Sequence, residues 1–324
     1  MTRRHHVLCR AFASGLLLLA PLVAPDRLVA RQVAPAVAAA PPAAAEDVRG
    51  LLSSIAALTA PGMDGRAAGT DGARRARAWI VGRLTALGVE PAMPDGFAMP
   101  FQFSTASGAT VTGTNVVARC PGKRPAAPAI VVSAHYDHLG IRNGQTYHGA
   151  DDNASGVAML LHVAARCVAT PFEHPLFLAF FDAEEAGLQG ASAFVRMPPM
   201  AAGRLALNVN FDMVGRSDAR EIFIAGPGRW PRLKPVLETA VEGASITVRF
   251  GHDTGGGHDD WTTQSDHEAF DAAGIPFVYF GVEDHADYHQ PTDTADKIDP
   301  DFLAGVATVV MRVLAALDRA PAFQ

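Results

Sequence analysis

The sequence predicts an α/β protein: a three-layer sandwich with a central mixed, mostly parallel sheet and helices on both faces. From residue 129 onward, short β-branched or apolar runs alternate with stretches of helical periodicity, which is the pattern of a sheet covered by helices. Two of the runs, 129–134 and 176–181, are apolar or small throughout, as in strands buried on both sides. The composition, 49% hydrophobic and 19% charged over 324 residues, supplies ample core.

Taken in order, residues 47–58 have the pattern of an amphipathic helix, and 61–72 (P-G-M-D-G-R-A-A-G-T-D-G) read as a turn-rich loop. Ala76, Ile80, Leu84 and Leu87 share one face of a helix over 73–87, and Gly88 stands where a C-cap belongs. Residues 98–119 hold alternating segments that suit antiparallel strands, followed by the strand at 129–134. A helix opening at Asn153 then places Val157, Leu160, Leu161 and Ala164 at helical spacing. Residues 176–181 form a strand, 184–195 a helix, 205–211 a strand and 222–224 a short strand. A helix over 233–241 comes next, then a glycine-rich loop at 251–257 and a strand at 276–281. Asp299-Pro300 supplies an N-cap and a first-turn proline for a closing helix that buries Phe302, Val306, Val309, Val310 and Val313. No internal repeat and no strong linker divides residues 46–324, which read as one domain.

The N-terminus differs in kind. Arg3, Arg4 and Arg10 precede an apolar run at 11–24, too short to span a bilayer comfortably, and Ala/Pro-rich sequence continues to Ala45. That layout predicts a signal peptide and lead-in over 1–45, and a periplasmic or secreted protein with no membrane anchor. Its loss removes five basic residues and one acid and moves the formal charge from -6 to about -10. Such a charge argues against nucleic acid or an anionic membrane as partner. Cys120 and Cys167 would remain; export permits a disulfide, but spacing does not show that they meet.

The chemistry gathers where strands end, the place at which open α/β sheets carry their sites. His135, Asp137 and His138 follow one strand, and Asp182, Glu184 and Glu185 another. Asp212 follows a third, and a fourth leads to Glu283, Asp284, His285, Asp287, Tyr288 and His289. Alone, His135 would suit a satisfied core histidine. Four strands ending in carboxylate or imidazole instead suit a divalent ion, with His135 and Asp151 read as two ligands. The surplus of acids suggests two metals sharing a carboxylate, and adjacent Glu184 and Glu185 can divide ligand and base duties.

In this order H-Y-D-H, G-A-D-D-N-A-S-G, D-A-E-E-A-G, N-F-D-M-V-G, S-D-H-E-A-F and D-Y-H-Q-P-T-D-T resemble the secreted co-catalytic zinc aminopeptidases. That family also includes glutamate carboxypeptidase II and the transferrin receptor. The resemblance runs from D-G-R-A-A-G-T at Arg66 to the last helix and implies two zinc ions and peptide substrates. It implies His135, Asp151, Glu185, Asp212 and His289 as metal ligands, with Asp151 the bridge and Asp152 supporting it. Glu184 would be the general base, Asp137 the carboxylate that orients His135, and Tyr288 a group polarising the scissile carbonyl. Three alternatives stay open: a carboxypeptidase or dipeptidase on the same metals, a one-zinc glutaminyl cyclase, and a non-catalytic binding ectodomain.

Overall fold

The computed structural model describes residues 45–105, 107–201, 204–254, 256–257 and 259–320. The leader expected over 1–45 lies outside them except for Ala45, which begins the first helix. Seven α-helices are described: α1 Ala45–Leu58, α2 Asp71–Leu87, α3 Gly156–Ala169, α4 Gln189–Arg196, α5 Lys234–Val241, α6 His267–Ala272 and α7 Pro300–Arg319. The strands begin with β1 Glu90–Pro91, β2 Ala98–Ser104, β3 Thr110–Cys120 and β4 Ala129–His135. A small ribbon of β5 Ile141–Arg142 and β6 Gln145–Thr146 follows, then β7 Leu176–Phe181, β8 Leu205–Phe211, β9 Glu221–Ala225, β10 Thr247–Phe250 and β11 Phe277–Gly281.

One mixed sheet runs β1-β3-β7-β4-β8-β11-β9-β10, with β2 also paired to β3. Its centre, β7-β4-β8-β11, is parallel, whereas β3 joins β7 and β9 joins β11 in antiparallel fashion. The side-chain period of two explains why the central runs are apolar throughout. Along β7, Leu176, Leu178 and Phe180 enter the core shared with α1, α2, α3, α5 and α7. Phe177, Ala179 and Phe181 point the other way, toward Phe194 of α4 and Phe270 of α6. The expected three layers follow from that alternation.

Helix ends are set locally. The Thr70 hydroxyl accepts the Ala73 N–H, and Gly88, at φ 74°, closes α2 by donating to Leu84 and Thr85. Asp299 accepts the N–H groups of Asp301 and Phe302 ahead of Pro300, so α7 starts where the sequence places it. By length and composition α7 could cross a membrane, but its Phe302, Leu303, Val306, Val310 and Val313 are buried in the core. Cys120, at the end of β3, is disulfide-bonded to Cys167 in α3, with a Cα–Cα distance of 6.2 Å.

Three local expectations change. The helix expected over 184–195 begins at Gln189. Residues 184–188 form a turn in which the Glu184 carbonyl accepts the N–H groups of Gly187 and Leu188, while Ala183 and Leu188 take left-handed dihedrals. Both glutamates are thereby left at the strand end and kept out of a helical ladder. Ala150–Ser155 makes a wide turn before α3, with Asp152 and Asn153 off helical dihedrals. Finally, β10 and α6 went unanticipated; one is a half-exposed edge strand and the other only six residues long.

Candidate metal centre

Because β4, β7, β8 and β11 are parallel at the sheet centre, their carboxyl ends open onto one cavity of about 470 Å³. His135 is the last residue of β4. Its Nε2 lies 3.3 Å from Asp212 Oδ1, 3.4 Å from Asp152 Oδ1 and 4.0 Å from Glu184 Oε2. Its Nδ1 faces away, 3.2 Å from the Asp137 carbonyl and 3.7 Å from Asp137 Oδ1. That places Asp137 where it can fix the tautomer of a metal-binding imidazole. Asp212, next after β8, accepts the Ser265 hydroxyl through its other oxygen at 2.7 Å.

Asp152 continues the cluster. Its Oδ2 is 3.0 Å from His289 Nε2, and His289 in turn stands 3.4 Å from Glu185 Oε2. One carboxylate thus faces both imidazoles with opposite oxygens. This corrects the expectation for Asp151, whose side chain is not in the cluster. Asp151 Oδ1 accepts the Gly215 N–H at 2.6 Å, and its Oδ2 lies 3.2 Å from His285 Nε2. The wide turn is the reason. Asp152, at φ -102° and ψ 95°, leaves the helical path and swings its side chain toward His135, while Asp151 stays against the body of the fold. Asp293 holds the turn by accepting the N–H groups of both residues.

The donor set fits divalent metal. Two ligands on one tetrahedral zinc, each at about 2.0–2.1 Å, lie about 3.3 Å apart. The His135–Asp212, His135–Asp152, His289–Asp152 and His289–Glu185 separations, 3.0–3.4 Å, match that spacing. Pairwise, Asp152 and Asp212 stand by His135, and Asp152 and Glu185 by His289. In this cluster the mutually close sets that could hold an ion are His135, Glu184 and Asp212 and, separately, His138, Asp152 and Glu185.

Electrostatics point the same way. Burial pushes Glu184 well above the usual carboxylate range and Glu185 up to about 7. Asp152 is raised by burial and by Glu185. Burial pulls His135 down, but Asp212 and Glu184 outweigh it and hold the imidazole high. Among the described residues that line the cavity there is no lysine or arginine. Arg66 lies near but is fully buried and spent on carbonyls, donating to those of Leu58, Tyr136, His148 and Gly149, and burial lowers it to about 10. Crowded carboxylates of this kind call for a bound cation.

Tyr288 lines the cavity with its ring stacked on His289, centroids 3.9 Å apart, and burial keeps its phenol protonated. Asp259, Glu283 and Asp284 form an acidic rim. His267 is not a ligand: it is buried between Phe277 and Tyr279 with Nε2 2.9 Å from the Trp261 carbonyl. The structure therefore brings together His135, Asp137, Glu184, Glu185, Asp212, Tyr288 and His289 and leaves Asp151 out. Sequence reasoning did not single out Ser265 or Asp293, and it placed His138 at a strand end without giving it a role. The first two lie within quoted motifs, S-D-H-E-A-F and H-Q-P-T-D-T, and the third closes H-Y-D-H.

Residues 115–314 match the profile of peptidase family M28. The chain belongs to that family. The match excludes the segment around Arg66, so it is narrower than the motif resemblance. This M28 chain is 29% identical over 220 residues to aminopeptidase YwaD of Bacillus subtilis, covering 61% of the chain and 43% of that protein. It is 30% identical over 238 residues to a probable lipoprotein aminopeptidase, LpqL, of Mycobacterium tuberculosis, covering 64% and 46%. The chain spans about half the length of the curated relatives it matches. Among solved structures, the LapA aminopeptidase of Legionella pneumophila superposes with a TM-score of 0.66 at 19% identity, over 84% of this chain and 72% of that one. Porphyromonas gingivalis glutaminyl cyclase gives 0.67 at 21%, over 82% and 97%. At these identities the structures speak to the α/β fold alone.

Proposed function

We propose that this M28 chain is a two-zinc aminopeptidase that hydrolyses the N-terminal peptide bond of peptides. The observation that carries the reading is Asp152 facing His135 with one oxygen and His289 with the other, with a spare buried glutamate, Glu184, alongside. His135, Asp152 and Asp212 would hold one ion, and Asp152, Glu185 and His289 the second. Bound there, the ions would supply Lewis acidity toward a water molecule and the scissile carbonyl.

The side chains do the rest. Glu184 takes a proton from the attacking water and delivers it to the leaving amine, a task suited by a carboxyl held above its usual range. Asp137 keeps His135 oriented, and the protonated Tyr288 phenol donates to the developing oxyanion. The acidic rim of Asp259, Glu283 and Asp284, with no lysine or arginine among the described residues that line the cavity, favours a free α-ammonium and disfavours the α-carboxylate a carboxypeptidase must hold. The curated relatives named aminopeptidases support the same choice. The Cys120–Cys167 disulfide supports export to the periplasm or outside the cell.

A panel of aminoacyl p-nitroanilides, N-blocked peptides and glutaminyl peptides, run with chelator and with added zinc, tests this. Zinc-restored release from free-amine substrates is expected. Cleavage of blocked peptides alone would reject the aminopeptidase reading, and cyclisation without hydrolysis would point to glutaminyl cyclase chemistry.

A further inference from the structure

We propose that His138 is a positioning residue for Glu185: its Nδ1 holds one carboxylate oxygen so that the other faces the second metal position. The inference rests on the two-metal reading above and assigns a task to a residue that reading does not use.

His138 has no exposed side-chain surface, and its Nδ1 lies 2.7 Å from Glu185 Oε1. Neither ring nitrogen nor that oxygen has an aligned hydrogen-bond partner among the described residues, the 2.7 Å contact included, and the next carboxylate oxygen, Asp152 Oδ2, stands 3.7 Å from Nδ1. Distance separates the two roles this imidazole could play. Ligands of one zinc stand about 3.3 Å apart, and the other pairs here lie 3.0–3.4 Å apart, whereas an N–H donor approaches a carboxylate to about 2.7–2.9 Å. At 2.7 Å, His138 and Glu185 are spaced as donor and acceptor. Glu185 Oε2 is left 3.4 Å from His289 Nε2, at ligand spacing.

The ring's seat is built for it. Gly149 has a φ of 57°, and a Cβ there would come within 2.6 Å of His138 Cγ and Cδ2. A side chain at 149 would meet the Asp152 carbonyl first and the imidazole next, so it would disturb the turn as well as the ring. Burying an imidazole costs free energy unless its polar atoms are used, and Glu185 Oε1 is the acceptor in reach.

The test is a cobalt titration of the full-length protein, with both dissociation constants measured by chelator competition and the cobalt absorption spectrum followed. His138→Asn keeps an N–H donor where Nδ1 stands; His138→Leu removes it. The wild type is expected to bind two equivalents. His138→Leu should bind one of them 10–100-fold more weakly, with an altered spectrum for that equivalent, and leave the other within about twofold. His138→Asn should recover both. If His138→Leu does not fold, His138→Ser takes its place with the same expected loss. Two unchanged affinities in the leucine or serine variant, or an asparagine variant as impaired as leucine, would overturn the assignment. A wild type that binds a single equivalent would instead reject the two-metal reading beneath it.

Discussion

The backbone N–H of Glu184 donates to Asp137 Oδ1 over 3.1 Å. The same carboxylate lies 3.7 Å from His135 Nδ1, so one side chain ties the proposed base to a proposed ligand across two strand ends. Replacing Asp137 with alanine should weaken metal binding 10–100-fold and lower kcat even when metal is saturating. Chelator competition with steady-state rates checks this; a variant that recovers full kcat at saturating metal would confine Asp137 to ligand support.

Glu184→Gln separates proton transfer from metal binding. The amide cannot accept the proton, so kcat should drop by about 10²–10⁴ while metal content stays at the wild-type level. Rates are read beside elemental analysis. Near-normal turnover would remove Glu184 from the base role.

The neighbouring aspartates should behave in opposite ways. Asp152→Asn weakens a group facing both imidazoles and should cost metal at both positions. Asp151→Ala should leave metal in place but lower stability by about 1–3 kcal/mol, because Asp151 Oδ1 accepts a buried N–H from Gly215 that alanine leaves unpaired. Metal content and denaturant unfolding distinguish them, and equal metal loss in the two variants would undo the assignment of Asp152 as the shared ligand.

Acid lability has an identifiable contributor. Burial lowers His267 from an ordinary value of 6.5 to about 4. The fold favours the neutral ring, so its contribution is complete above pH 6.5 and is lost as pH falls from there toward 4. The full effect is about 3 kcal/mol. His267→Gln keeps a donor for the Trp261 carbonyl but does not charge, so between pH 7 and 4.5 it should lose about 2 kcal/mol less than the wild type. Unfolding free energies at the two pH values decide; parallel losses would discard His267 as the source.

The sheet could be read from the sequence because its central strands announce themselves. Leu176–Phe181 is apolar at every position since both faces are covered, and Asp299-Pro300 marks the start of α7 in its own chemistry. The strand-end location of the site followed from the same pattern. What escaped was decided by backbone geometry and tertiary contact. Asp151 and Asp152 are identical in composition, and only the dihedrals of the turn send the second into the cavity. The start of α4 moved because Ala183 and Leu188 adopt left-handed dihedrals that no local residue preference predicts. His138 looks like any histidine until Gly149 and Glu185 are seen beside it.

Arg66 lies well ahead of the region matched to M28, yet its guanidinium joins the end of α1 to the strand-end loop at Tyr136 and to the approach to Asp152 at Gly149. The N-terminal helices are therefore scaffolding for the metal loops and cannot be treated as a dispensable preface. A version of the protein trimmed to the family-matched region would retain every proposed ligand and lose the strut that spaces them.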